Sequence, residues 1–424
     1  MIWQISPASS LLSGRIAVPG SKSHTIRAVI AAMLCEGVCK IHAPLYSADT
    51  RSALSAAAAL GAEINETRDL WTITGCGKDF RPQSAPVDLG NSGTTMRIIA
   101  AAAALGSHPV TFDGDESLRK RIMAGELAAL TALGVKCSST GGFAPLTVQG
   151  PLTGGKTSVD GTTSQYLTAL LMSLVMAEKD SELTLEFLNE ADYVRITLDW
   201  LKRCGITVEY SDDLCRFSIP GGQHYQAFER VIPADFSTAA FPLGAGLISG
   251  GELRIANLDF DDLQGDKRVF DYVREMNGNI SFDGGDVVVK ASELTGGVFD
   301  LNATPDALPL MAVLGCYANG VTELTNVPQA RLKECDRIAC MTGELRKMGA
   351  EIEEKPDGMV IHGGRKLTGC QVESYRDHRI AMALTVAALG AEGCTYIADG
   401  ECCEVTYPDF AADFRRLGVQ IGVK

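Results

Sequence analysis

Six times along this 424-residue chain a helical run stops at glycine, or once at asparagine, and a strand-like run follows. The stops are ALGAEI at Gly61, ALGVKC at Gly134, RCGITV at Gly205, EMNGNI at Asn277, KMGAEI at Gly349 and RLGVQI at Gly418. They recur at about 70-residue intervals, the mark of one supersecondary unit copied along the chain. Gly and Asn are what a helix takes just past its end, where the backbone turns left-handed. After the stop the pattern predicts a hairpin, as in AEINETRDLWTITG and AEIEEKPDGMVIHG, with Asp, Gly or Pro at the tip.

The other half of the unit recurs too: a short strand, a polar loop and an Ala/Leu-rich helix. The copies are RIAVPGSKSHTIRAVIAAML, PVDLGNSGTTMRIIAAAAAL, KTSVDGTTSQYLTALLMSLV, RVIPADFSTAAFPLGAGLI, VFDLNATPDALPLMAVLGCYA and CQVESYRDHRIAMALTVAAL. Apolar residues reach 46% and aromatics only 6%, so Ala, Leu, Ile and Val must build the core. These helices are apolar nearly all round, which predicts that they are buried, with sheets outside them.

Each polar loop carries side chains with chemistry: Lys22, Ser23 and Arg27; Asn91, Thr94 and Arg97; Thr163, Ser164 and Gln165; Asp235, Ser237 and Thr238; Asp306; Asp377, His378 and Arg379. Ser, Thr, Asp and Asn at helix starts are also ordinary N-caps. Capping does not explain Lys and Arg, which oppose the dipole there and call for an anion. Parallel buried helices within one domain would aim their starts at one face.

The net charge of -14 argues against nucleic acid as a partner, while leaving room for a local cationic pocket. Thirteen Cys with no C-x-x-C spacing read as reduced thiols of a cytoplasmic protein. No cationic leader precedes an apolar stretch, and no apolar run reaches membrane-spanning length. GPLTGGKT, Gly150 to Thr157, matches a phosphate-loop pattern, but Pro151 lies inside it and a strand is expected after it. In QARLKECDRIACM, Lys333 and Arg337 would share one helical face if the helix begins there, either around an anion or on a solvated surface. DESLRKRIM places Arg119, Lys120 and Arg121 on an expected exposed loop. Together the cations suit one ligand with a phosphate and another with phosphate and carboxylate. Asp306 and Glu334 among them could serve as acid and base.

The motifs PGSKSHTIRA, LGNSGTTMR, SLRKRIM, TTSQYLTALLM, DFSTAAF, LQGD, TPDALP, RLKECDRI, YRDHRIAMAL and VTYPDF lie in this order along the whole chain. In them the sequence resembles the 5-enolpyruvylshikimate-3-phosphate synthase family. The resemblance implies a two-domain inside-out α/β barrel of six repeats, three per domain. One domain would span 20–233, the other 1–19 plus 234–424, closing on substrate in the cleft between them. It implies transfer of enolpyruvyl from phosphoenolpyruvate to the 5-hydroxyl of shikimate 3-phosphate, by addition and then elimination of phosphate, in chorismate and aromatic amino acid biosynthesis. No metal or organic cofactor and no partner beyond the two substrates is implied, and the chain would act as a monomer.

Carried over residue by residue, Lys22, Ser23, Arg27, Thr163, Ser164, Gln165, Tyr193, Asp306, Gln329 and Lys333 would meet shikimate 3-phosphate. Lys22, Asn91, Gly93, Arg121, Gln165, Arg337 and Arg379 would meet phosphoenolpyruvate. Asp306, Glu334, Lys22 and Lys333 would be catalytic. Gly93 implies inhibition by glyphosate, which Ile98 would soften. The chain departs from the family at Glu190 and Ala191, where a phosphate-contacting serine and a basic or polar residue are common. It departs also at Val405, where some members have lysine, and at Ile98 and Ile122, where proline is frequent. Glu190 must either point away from the phosphate or mark a different acceptor. A related enolpyruvyl transferase acting on UDP-N-acetylglucosamine fits less well, because DGDESLRKRIM has no cysteine. A non-catalytic homologue that binds an anionic metabolite is the other alternative, favoured by Glu190 and Val405.

Overall fold

The computed structural model describes residues 1–8, 11–82, 85–249 and 251–424. The chain divides into two compact units, Gly20–Ile232 and Met1–Pro19 with Pro233–Lys424.

Each unit holds three four-stranded sheets, and all six sheets follow one plan: an edge strand pairs parallel with the next, and the remaining pairs are antiparallel. In Gly20–Ile232 the first sheet runs Glu229–Val231, Val38–His42, Leu70–Thr74, Glu63–Glu66. The hairpins come from the segments the pattern predicts, AEINETRDLWTITG giving the last two strands named. All six stops, Gly61, Gly134, Gly205, Asn277, Gly349 and Gly418, have positive φ, so each uses the left-handed turn that Gly or Asn tolerates. Hydrogen bonding leaves the six sheets separate, and no closed barrel is formed among the described residues.

Two strands depart from the expected unit. Gly14–Ala17 stands before the helix Lys22–Leu34 in sequence, yet pairs in parallel with Glu252–Ala256, far along the chain in its own unit Met1–Pro19 with Pro233–Lys424. Glu229–Val231 precedes the helix Phe236–Ser249, yet pairs with Val38–His42. The sheet that each unit's first segment leaves short of an edge is thus completed by the strand just before the chain crosses. Periodicity within one copy carries no signal for such an exchange.

The helices Lys22–Leu34, Gly93–Ala103, Ser164–Leu174, Phe236–Ser249, Leu308–Tyr317 and His378–Leu389 are almost wholly buried. Their Ala, Leu, Ile and Val side chains form a core in each unit under the three sheets. Buried all round, these helices can offer solvent only their ends, so their first residues are the places left for polar chemistry.

All thirteen cysteines are free thiols. Burial pushes those of Cys39, Cys204 and Cys316 up to about 12, which keeps them protonated and inert as small core groups. Among the described residues no helix is long and apolar enough to cross a membrane. The phosphate-loop look-alike runs into the strand Gly155–Ser158, so it lacks the helix such a loop requires.

Candidate active site

In Gly20–Ile232 the starts of the buried helices lie together. Gln165, at the first turn of Ser164–Leu174, donates from Nε2 to Thr94 Oγ1 of Gly93–Ala103 at 3.2 Å. Arg97 Nη1 donates to Gln165 Oε1 at 2.5 Å, and Nη2 to the Ile122 carbonyl at 3.4 Å. The Arg97 guanidinium also stands 5.6 Å from the Tyr166 ring centre. Arg121 Nη2 donates to Asn91 Oδ1, and Asn91 Nδ2 to Asp115 Oδ2 at 2.8 Å. A Cβ on Gly93 would lie 2.7 Å from Arg121 Nη1 and 3.0 Å from Arg97 Nη1. Two guanidinium groups therefore close on one glycine, an arrangement an anion would stabilise. Arg121 is half-buried here, and only Arg119 and Lys120 lie on the exposed loop expected for all three.

Lys22 pairs with Asp49 at 3.3 Å. Arg27, 2% exposed, turns inward. Its Nε donates to Thr197 Oγ1 (2.9 Å), its Nη1 to the Ser23 carbonyl (3.0 Å), and its Nη2 to Thr168 Oγ1 (3.3 Å) and the Tyr193 carbonyl (3.0 Å). Burial lowers the Arg27 pKa to about 10, with Tyr193 and Glu190 offsetting part of the drop, so it stays cationic at neutral pH. Four of its five N–H groups are thus engaged by the fold. Thr163 caps its helix through the Gln165 amide at 3.4 Å. Glu190 does not point away: its Oε2 accepts from the Ser164 hydroxyl at 2.8 Å.

In the other unit the starts of three helices meet through one buried arginine, Arg337, and a fourth joins them through Arg379. Arg337 donates from Nη1 to Asp306 (2.7 Å), from Nη2 to Glu334 (2.7 Å) and from Nε to Asp377 (2.8 Å). Burial pulls its pKa down, but Asp377, Glu334 and Asp306 more than reverse this, leaving it well above the ordinary arginine value. Arg379 Nη2 pairs with the second oxygen of Asp306 at 2.7 Å and donates to Ser237 Oγ at 2.8 Å. Asp377 also caps His378–Leu389 through the Arg379 and Ile380 amides. The helix Arg337–Lys347 begins at Arg337, capped by Asp336. Lys333 lies before it, at the end of the short turn Pro328–Leu332, so Lys333 and Arg337 do not share a helical face. Gln329 is buried and donates to the Asn302 carbonyl at 2.9 Å. Val405 ends the turn Gly400–Val405.

Several residues in these networks escape a reading of the sequence. Asp49 is an acidic residue in a helix's first turn, where the dipole already accounts for it. Thr168 and Thr197 are hydroxyls on otherwise apolar faces, and only the tertiary fold brings them to Arg27. Arg97 was legible as a cation that capping leaves unexplained, and the structure puts it beside Gly93.

Fold and site together define an α/β protein whose buried helices gather arginines, a lysine and carboxylates at their starts. A family profile described as EPSP synthase (3-phosphoshikimate 1-carboxyvinyltransferase) matches residues 7–414. A relative from Acetivibrio thermocellus named 3-phosphoshikimate 1-carboxyvinyltransferase is 45% identical over 414 residues, covering 97% of this chain and 97% of the relative. One of the same name from Methanocella arvoryzae is 40% identical over 430 residues, covering both chains completely. The solved structure of EPSP synthase from Acinetobacter baumannii superposes with a TM-score of 0.82 at 25% identity, covering 100% of each chain. The enolpyruvyl transferase NikO from Streptomyces tendae shares the fold, with a TM-score of 0.78 at 17% identity over 99% of this chain and 98% of NikO. The chain belongs to the EPSP synthase family.

Proposed function

We propose that this protein transfers the enolpyruvyl group of phosphoenolpyruvate to the 5-hydroxyl of shikimate 3-phosphate and releases phosphate. The observation that carries the reading is the likeness at 45% identity, over 97% of both chains, to a relative bearing that activity's name. The acidic groups it needs, Asp306 and Glu334, are held within hydrogen-bond reach of one buried arginine.

In this reading Thr163, Ser164, Gln165, Lys22, Ser23, Arg27, Tyr193, Gln329 and Lys333 serve the acceptor, and Asp306 takes the proton of its 5-hydroxyl. Asn91, Gly93, Arg121, Gln165, Lys22, Arg337 and Arg379 serve phosphoenolpyruvate. Glu334 moves a proton to and from the methylene carbon, with Lys333 and Lys22 as the other catalytic groups. An incoming carboxylate or phosphate would take guanidinium N–H groups now bonded to Asp306 and Glu334, which frees those carboxylates for proton transfer. The two units correspond to the two domains of an inside-out α/β barrel, 20–233 and 1–19 plus 234–424. The enzyme acts in the cytoplasm as a monomer, without metal or organic cofactor.

The test is release of phosphate from phosphoenolpyruvate with and without shikimate 3-phosphate. Release that needs shikimate 3-phosphate, and that millimolar glyphosate slows, is the expected result. No release with both substrates present sinks the reading. A non-catalytic, anion-binding homologue is the second reading, favoured by Glu190's hold on Ser164, and the same assay decides it.

A further inference from the structure

Glu190 is the feature this reading does not absorb. Its side chain is buried, 1% exposed, and one carboxylate oxygen accepts from three donors. They are the Ser164 hydroxyl (2.8 Å), the Ser164 amide (3.3 Å) and the Thr163 hydroxyl (3.4 Å). All three stand at the start of Ser164–Leu174, where the helix's free N–H groups favour an anion. The Glu190 backbone is left-handed, φ 58° and ψ 41°, a strained choice for a residue with a long side chain. It stands at the start of Ala191–Arg203 but its side chain does not cap that helix. The carboxylate is instead directed at the neighbouring helix's donors, and its charge reaches the buried Arg27 as well.

We infer that Glu190 is a built-in competitor for the acceptor's phosphate and is the residue that sets acceptor affinity. The inference rests on the proposed assignment of Thr163 and Ser164 to that phosphate. A phosphate and a carboxylate cannot share these donors without like-charge repulsion. The phosphate therefore gains Ser164 and Thr163 only as Glu190 releases them, and the lost internal bonds weaken binding. Removing the charge leaves the donors in place and lifts the competition.

The experiment measures shikimate 3-phosphate binding by titration calorimetry, and turnover alongside it, for the full chain and for Glu190→Ser and Glu190→Gln. Acceptor Kd should fall about tenfold or more in Glu190→Ser and about threefold in Glu190→Gln, whose amide still fills the space. The KM for phosphoenolpyruvate should move less than about twofold, which a general loss of structure would not produce. Acceptor binding that is unchanged or weaker in the folded variants overturns the inference. Glu190→Gln, matched in shape, keeps the test open if the serine variant does not fold. Absence of turnover in the unsubstituted chain sinks the proposed reaction instead. Inorganic phosphate then serves as the probe, and equal binding to the unsubstituted chain and Glu190→Ser overturns the inference on its own.

Discussion

The two units repeat one scaffold three times each, but they treat their buried arginines in opposite ways. In Gly20–Ile232, Arg27 and Arg97 are held by hydroxyls, carbonyls and an amide. In the other unit Arg337 is wrapped by three carboxylates and Arg379 shares one of them. The electrostatics follow: burial wins at Arg27 and lowers its pKa, whereas carboxylates win at Arg337 and raise it. One unit holds its buried arginines with neutral acceptors, and the other couples its buried arginines to carboxylates. A repeated fold can divide labour this way because the helices and sheets fix only where the loops sit, and the loop residues decide the charge.

The contrast breaks most sharply at Asp306, the acid that touches both Arg337 and Arg379. Asp306→Asn should cut kcat about a thousandfold, within the range for a lost general acid or base, in the phosphate-release assay. A loss below about tenfold would reduce Asp306 to an arginine anchor. Next comes stability. Asp377→Ala strips a buried carboxylate from Arg337 and should lose about 3–5 kcal/mol in urea unfolding. Thr197→Val, which removes a neutral acceptor from Arg27, should lose about 1–3 kcal/mol. Equal losses at the two sites would erase the distinction between the units.

Glu126 sharpens the comparison from the other side. It is fully buried in the helix Ala124–Ala132 of Gly20–Ile232, and neither carboxyl oxygen has a hydrogen-bond partner. Burial raises its pKa well above the ordinary value, and Arg97 reverses only part of that. Glu126 feels the Arg97 charge, yet the two buried groups are not joined by a hydrogen bond. A raised folded-state pKa means that the acid folds protonated. The unfolded chain loses that proton above about pH 4.3, so the fold weakens relative to it as pH rises toward the folded-state value. Glu126→Gln keeps the shape and lacks the ionisation. Its advantage over the unsubstituted chain should be near zero at acid pH and grow to about 1–3 kcal/mol at neutral pH, read by thermal unfolding across the range. A gap that does not change with pH would show that Glu126 is not held neutral.

Much of this was written in the sequence. The six stops predicted left-handed turns and the apolar helices predicted burial, because both depend on residues close together in the chain. The cations at the helix starts were legible because capping cannot account for them. What sequence could not supply was direction. Nothing local says that Arg27 turns inward to Thr197, that Asp377 reaches Arg337 while capping its own helix, or that Glu190 turns toward Ser164. Those depend on residues 26 to 170 positions apart meeting in the fold. The strands Gly14–Ala17 and Glu229–Val231 were hidden for the same reason, since each pairs with a segment far from the helix that follows it.

The smallest predicted effect tests whether the neutral-partnered arginines do hold substrate. A methyl group on Gly93 would meet the ends of two flexible side chains, Arg121 Nη1 at 2.7 Å and Arg97 Nη1 at 3.0 Å, with Arg121 Cδ at 3.4 Å. Long side chains can move aside, and Gly93 has no positive φ to forbid alanine, so Gly93→Ala should fold with an unchanged unfolding midpoint. The guanidinium groups would then shift by some tenths of an ångström from the geometry in which they grip an anion together. Loss of a well-placed charged contact to phosphoenolpyruvate should raise its KM about tenfold, or about 1.4 kcal/mol. The KM for shikimate 3-phosphate should stay within about twofold, because its assigned donors lie at another helix start. If both constants stayed put, Arg97 and Arg121 would be ordinary structural supports for the Asn91 loop, and the positive charge of this unit would need another occupant.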